Sequence, residues 1–202
     1  MASLTSLVLG THNRKKGLEL ADQLAPLGVE VRTLAEFENN IEVVEDGDTF
    51  AANSEKKAIE QARHLSQWVI GEDSGISVDA LDGAPGIYSA RFSGENADDE
   101  ANNDLLLEKL GDLPPERRTA YYTCYMTLAD PSGQIRARSE GFCHGRIRFE
   151  RAGRGGFGYD PLFEIVEYHR TFGELGPSVK RVLSHRARAT ALILPQIRKL
   201  LS

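Results

Sequence analysis

The chain has 202 residues, 41% hydrophobic and 27% charged, and carries a formal charge of −6 from 24 Lys and Arg against 30 Asp and Glu. This length and composition suit a folded protein with one full hydrophobic core, and the acidic balance argues against a binder of nucleic-acid polymers, which needs a cationic face. No apolar run approaches the roughly 20 residues of a membrane span, and residues 1–5 lack a basic segment followed by an apolar one, so a cytoplasmic protein with no membrane partner is expected.

Residues 6–9 read as a short apolar strand. The segment Gly10-Thr11-His12-Asn13-Arg14-Lys15-Lys16 turns out of it into a helix with Leu20, Leu24 and Leu27 on one stripe. Backbone N–H groups at a helix start lack an intrahelical partner, and with Lys16 beside them they make a seat for phosphate. The segment is not a Walker loop, because the second Gly and the Gly-Lys-Ser/Thr ending are missing. Residues 29–34 alternate as a half-buried strand, and an acidic stretch that includes Glu45 follows at residues 41–49. Asp48 or Thr49 is placed to cap a helix over residues 50–65 whose buried stripe is Phe50, Ser54, Ala58, Ala62 and Leu65. Asn53 and Lys57 sit one helical turn apart and reach toward one place.

The run Trp68-Val69-Ile70-Gly71 then breaks into Glu72 and Asp73, followed by Ser74-Gly75. It reads as a buried strand that delivers carboxylates at its C-terminal end, where ligands sit in α/β sheets. Neighbouring side chains on a strand face opposite ways, so Glu72 and Asp73 converge on one metal or water only if the strand ends there. Ser74-Gly75 is read as that end. Taken alone, the stretch also fits a solvated acidic turn.

Residues 76–81 form a second short extended piece, and Asp82-Gly83-Ala84-Pro85-Gly86 is a turn. Arg91 can meet a phosphate or a carboxylate or brace the loop, and bracing is the reading preferred. Asp98 caps a helix that runs to Leu110 and buries Leu106 and Leu110, and Pro114-Pro115 marks a possible seam at residues 111–118 within a single domain. Strands are expected at residues 121–128, 134–143 and 146–150, either extending the sheet antiparallel or forming a β-rich lobe. Pairing Asp130 with Gly133 puts Cys124 opposite Ser139 rather than Cys143, so both cysteines are expected as buried thiols. In the loop Gly155-Gly156-Phe157-Gly158-Tyr159-Asp160, the glycines let backbone approach a flat ligand and Phe157 offers a stacking face. A short strand is expected at residues 162–166. Lys180, His185 and Arg186 form a cationic cluster that needs a ligand or exposure. Ser184 is placed to cap a last helix, with a kink or break expected at Pro195.

Six ordered motifs are similar to those of the Ham1-type inosine triphosphate pyrophosphatase family. They are Thr11 to Lys16, the Thr49-Phe50-Ala51-Ala52-Asn53 segment running on to Ala58, Glu72 to Gly75, Gly83 to Phe92, Gly155 to Pro161, and Ser184-His185-Arg186. The resemblance spans nearly the whole chain. It implies an α/β fold, an elongated central mixed β-sheet flanked by helices, with two lobes, an active-site cleft between them and assembly as a homodimer. It also implies Mg²⁺-dependent hydrolysis of ITP, dITP and XTP to the monophosphate and pyrophosphate. Carried over by position, Asp73 resembles the general base, with Glu45, Glu72 and Asp73 around the metal. Thr11, His12, Asn13, Arg14, Lys15 and Lys16 resemble a triphosphate grip together with Asn53 and Lys57. Ser74, Phe157, Gly158, Tyr159, Asp160, Lys180, His185 and Arg186 resemble the substrate and base contacts. Two positions depart from the family pattern: Ala52 stands where Phe-x-Glu-Asn has its Glu, and His12 where a Gly is common. If the missing Glu ordinarily helps hold the metal, the resemblance implies that this chain uses Glu45, Glu72 and Asp73 more heavily, binds Mg²⁺ more weakly, or keeps more waters on it. The alternatives are a Maf-like pyrophosphatase for pyrimidine or modified nucleotides and a non-catalytic nucleotide sensor.

Overall fold

The computed structural model describes residues 6–201, so the expectation for residues 1–5 lies outside the described residues. The fold is α/β, with a mixed seven-stranded sheet in the order β2-β1-β3-β4-β5-β6-β7 flanked by helices. The strands are β1 (Ser6–Leu9), β2 (Glu30–Thr33), β3 (Val69–Val78), β4 (Thr119–Ala129), β5 (Ile135–Ile147), β6 (Phe163–Ile165) and β7 (Arg170–Thr171). The α-helices are α1 (Arg14–Leu24), α2 (Phe50–Leu65), α3 (Asp99–Leu110), α4 (Phe172–Leu183) and α5 (His185–Leu201). No described helix is long and apolar enough to cross a membrane. The chain divides into two compact units: unit 1 is Met1–Asp73, Cys124–Gly141 and Arg186–Ser202, and unit 2 is Ser74–Thr123 and Phe142–His185. Residues 111–118 fall inside unit 2.

In unit 1, β1 pairs parallel with both β2 and β3. Asn13 caps α1 by accepting from the N–H groups of Lys15 and Lys16, and Leu20 and Leu24 bury its inner stripe beside Leu7, Leu9, Ile70, Met126 and Ile193. Leu27 falls beyond α1 in a 3-10 turn. The Thr49 side chain accepts from Ala52 N to start α2, and Ser66 ends it in the left-handed conformation. Phe50, expected on the buried stripe, is half-buried. At Gly71 the helix lies directly on the strand: a Cβ there would sit 2.2 Å from Ser54 O and 2.7 Å from Ala58 N. The Ser54 hydroxyl fixes this contact by donating its one proton to Gly71 O at 3.0 Å, and its oxygen lies 3.0 Å from the Thr127 hydroxyl, from which it can accept.

In unit 2, α3 starts where Asp98 accepts from Ala101 N, and it buries Leu106 and Leu110 against Ile76, Val78 and Phe163. A capping box between Thr171 and Glu174 begins α4. The helix is interrupted at Gly176, whose φ of 76° precedes Pro177. Proline disfavours the helical conformation in the residue before it, and glycine is the residue that takes a positive φ without cost from a side chain.

Three expectations are corrected. The strand does not end at Ser74-Gly75, because β3 runs on to Val78 and absorbs most of the second extended piece. Ile76 and Val78 are fully buried in the unit 2 core, and burial on both faces overrides the turn preference of Ser and Gly. The two strands expected at residues 134–143 and 146–150 are one, β5. Gly145, in the gap left between them, lies so close to β6 that a Cβ on it would come 2.3 Å from Glu164 O. Lastly, of the kink or break expected at Pro195, the break is absent, because α5 runs on to Leu201. Pro195 and Ala191, whose carbonyl loses its helical donor, are both exposed, so water can serve that carbonyl, while Ile193 and Ile197 on either side hold the helix in the core.

Candidate active site

The carboxylates of β3 are buried, and each meets a different set of partners, as the continuous strand dictates. Asp73 receives Lys57 Nζ on Oδ1 at 3.0 Å and Asn53 Nδ2 on Oδ2 at 3.3 Å. Asn53 is held by Gly47 N, which donates to its Oδ1 at 2.8 Å and leaves the amide nitrogen turned to Asp73. That approach requires Gly47, since a Cβ there would lie 2.7 Å from Asn53 Oδ1 and 2.8 Å from the Ala52 Cβ. Lys57 Nζ also reaches Glu45 Oε2 at 2.9 Å. One ammonium thus lies between two carboxylates. Burial pushes the Asp73 carboxyl above its ordinary value; Lys57 and Lys16 oppose the rise, and Glu45 and Glu72 reinforce it. For Lys57 burial acts downward, but Asp73, Glu45 and Glu72 outweigh it and hold the ammonium above its usual value.

Glu72 faces the other way. Its Oε1 accepts from Arg186 Nη2 at 3.0 Å and Nε at 3.3 Å and from Cys124 Sγ at 3.4 Å, and its Oε2 meets Lys16 Nζ at 3.1 Å. Arg186 also contacts Glu19. Burial alone would depress the Arg186 guanidinium, and the Glu72 charge reverses this and raises it. Cys124 is driven well above a normal thiol by burial first and by the Glu72 charge second.

The first loop differs from its expected role in one respect. The N–H groups of Lys15 and Lys16 donate to Asn13 Oδ1 at 3.0 and 3.2 Å, so that end of α1 is already capped. Those two N–H groups are therefore not open to an anion. Thr11 Oγ1 accepts from Asn13 N at 3.1 Å, and the exposed His12 ring meets Ile41 O at 3.4 Å. Thr11, His12, Asn13 and Arg14 line a cavity of about 320 Å³ with Leu18, Ala21 and Thr33.

Unit 2 gathers a second set. Asp160 Oδ2 accepts from Phe157 N at 2.8 Å and Lys180 Nζ at 2.7 Å, and the same ammonium lies 4.1 Å from the centroid of the Phe157 ring. A Cβ on Gly156, whose φ is +78°, would sit 2.1 Å from Asp160 Oδ2, so only glycine fits. Gly158 is held from both sides, its N–H by Asp99 at 2.9 Å and its carbonyl by Asn103 at 3.0 Å. Tyr159 is buried with its hydroxyl on Ser89 O at 2.8 Å, a packing role. His185 is buried and stacked on Tyr122, with ring centroids 4.5 Å apart. Ser74 is half-buried at the start of this unit's part of β3.

The Ham1 family matches over residues 7–196. The chain belongs to the Ham1 family. A relative from Rhodopirellula baltica called dITP/XTP pyrophosphatase is 56% identical over 200 residues, 99% of this chain and 96% of its own length. One of the same name from Desulforamulus reducens is 49% identical over 183 residues, 91% of this chain and 90% of its own. Among solved structures, the Staphylococcus aureus Ham1 protein has 34% identity and a TM-score of 0.85, covering 96% of this chain and 98% of its own.

Within this Ham1-family chain, the described residues hold no group of three His, Cys, Asp or Glu side chains placed to hold a metal ion. Glu45, Glu72 and Asp73 are therefore not a ready cage. They do suit Mg²⁺, a hard cation that commonly takes one or two carboxylate oxygens and completes its shell with phosphate and water. Lys57, between Glu45 and Asp73, shows that these two carboxylates can bracket one cation. Three contributors escaped the sequence reading. Glu19 meets Arg186 across 167 positions and Cys124 meets Glu72 across 52, and no local pattern signals either. Gly71 could have been suspected from a lone glycine inside an apolar strand, a mark of close backbone approach.

Proposed function

We propose that the chain hydrolyses non-standard purine nucleoside triphosphates, dITP, XTP and ITP, to the monophosphate and pyrophosphate, clearing them from the nucleotide pool. The observation that carries this reading is the 56% identity over 200 residues with a protein named dITP/XTP pyrophosphatase. Asp73 is the base in this proposal: it takes a proton from a water directed at the α-phosphorus while Asn53 and Lys57 hold its two oxygens in place. Lys16 and Lys57, with Arg14 and Lys15, offset triphosphate charge. Thr11, His12 and Asn13 shape the loop that carries them. Mg²⁺, held by Glu45 and Asp73 with Glu72 nearby, would supply Lewis-acid neutralisation of the phosphate oxygens. Phe157 is proposed to stack on the base, with Ser74, Gly158, Asp160, Lys180 and His185 as substrate contacts. For Tyr159 and Arg186, burial and existing partners favour supporting those contacts from behind. The reading treats residues 1–202 as one functional domain, working in the cytoplasm as a homodimer; two buried cysteines outside any disulfide support a reducing compartment.

The deciding experiment is product identification by phosphorus NMR with dITP, XTP, ITP and ATP in the presence of Mg²⁺. Monophosphate plus pyrophosphate from the first three is expected, with ATP disfavoured by about 10⁴ or more because a site built around a 6-keto group leaves polar groups mismatched by a 6-amino group. Release of inorganic phosphate in steps, or a preference for pyrimidine nucleotides, would overturn the assignment.

A further inference from the structure

We infer that Glu19 is a positioning residue for the triphosphate grip, acting through Arg186 and Glu72 on Lys16. A guanidinium normally meets a carboxylate as a fork, two parallel N–H groups on two oxygens. Here Arg186 departs from that pattern, placing Nη2 and Nε both on Glu72 Oε1, at 3.0 and 3.3 Å. The remaining Nη1 is taken by Glu19. Glu72 Oε2 is thereby left for Lys16 Nζ, at 3.1 Å. Arg186 and Glu72 are each only 1% exposed, so neither charge has water as a substitute partner.

Lys16 and Glu19 lie three residues apart on α1, so one helix face contributes both a cation and an anion to the same buried pair. Without the Glu19 charge, the lowest-energy arrangement of Arg186 and Glu72 is the two-oxygen fork, which takes Oε2 from Lys16. Lys16 is about one-fifth exposed; once released it regains its side-chain freedom, and ordering it again on substrate opposes binding. The effect of Glu19 is therefore expected in the Michaelis constant more than in turnover. The inference rests on the proposed role of Lys16 in holding phosphate.

The test is a double-mutant cycle in the full-length chain, combining Glu19→Gln with Lys16→Ala. Glu19→Gln alone is expected to raise KM for dITP about tenfold while kcat stays within about threefold, and to raise KM less than twofold further when Lys16 is already Ala. Equal effects of Glu19→Gln in both backgrounds, or an unchanged KM, would overturn the inference. Calorimetric binding of inorganic tripolyphosphate is the second readout. If the wild type does not hydrolyse dITP but Glu19→Gln weakens tripolyphosphate binding only when Lys16 is present, the positioning role stands and the proposed activity falls. Should Glu19→Gln fail to fold, Glu19→Asp keeps the charge one methylene short, and the same dependence on Lys16 is required of it.

Discussion

At the scale of single residues, Asp73 concentrates the chemistry. Buried Asp73 shares the Lys57 ammonium with the more exposed Glu45, and burial raises the Asp73 carboxyl from its ordinary value against the pull of Lys57 and Lys16. A raised carboxyl stays protonated to higher pH, and a base must be ionised. The acid limb of kcat/KM is therefore expected at higher pH than an ordinary aspartate would give, and a pH–rate profile measures it. The same shift means that ionising Asp73 works against folding, so its stabilising contribution is present at low pH and fades as pH rises through the raised value. Asp73→Asn is expected to lower kcat by about 10² to 10⁴ with dITP binding retained, checked by steady-state kinetics alongside calorimetry. Near-normal turnover would remove Asp73 from the role of base. Asp73, Asn53 and Lys57 were legible in the sequence because helical spacing and an acidic strand are local signals. The partition of Glu72 and Asp73 to different partners was not, since it depends on where the strand ends.

At the scale of elements, the site rests on the contact of α2 with β3. Thr49 starts the helix in register, and Gly71 lets it approach until Ser54 bonds the strand's own carbonyl. This closeness brings Asn53 and Lys57 within reach of Asp73. A methyl group at position 71 would meet helix backbone at 2.2 Å, which no side-chain rotation relieves. Gly71→Ala is expected to cost about 3 kcal/mol or more of stability and to lower activity beyond what unfolding accounts for. Chemical denaturation combined with kinetics on the folded fraction separates the two effects. Existence and type of α1, α2 and α3 were readable from caps and stripes, whereas α4 was missed because Gly176-Pro177 splits its pattern. The strand expectations failed at Ser74-Gly75, where burial of the flanking residues outweighed local turn chemistry, and at Gly145, where the strand continues in close contact with β6.

At the scale of the whole molecule, neither unit is a continuous piece of chain. The unit 1 core joins Leu7, Leu9 and Ile70 to Cys124, Met126 and Ala137 and to Ala189, Ile193 and Ile197, drawn from three separated segments. The unit 2 core joins Ile76, Leu106 and Tyr122 to Cys143, Phe163 and Phe172, drawn from two. A seam sought in linear sequence, as at Pro114-Pro115, cannot reveal boundaries of this kind, because three of the cuts fall inside strands and the fourth at the start of α5, none of them in a loop. The cysteines gain a use from this arrangement. Cys124 lies in one core and Cys143 in the other, and both are shielded from solvent. An alkylating reagent reaches either sulfur only when the surrounding core opens. Pulsed labelling read by mass spectrometry of the two peptides therefore times the opening of each core separately, and dITP with Mg²⁺ is expected to slow labelling at Cys124, beside Glu72.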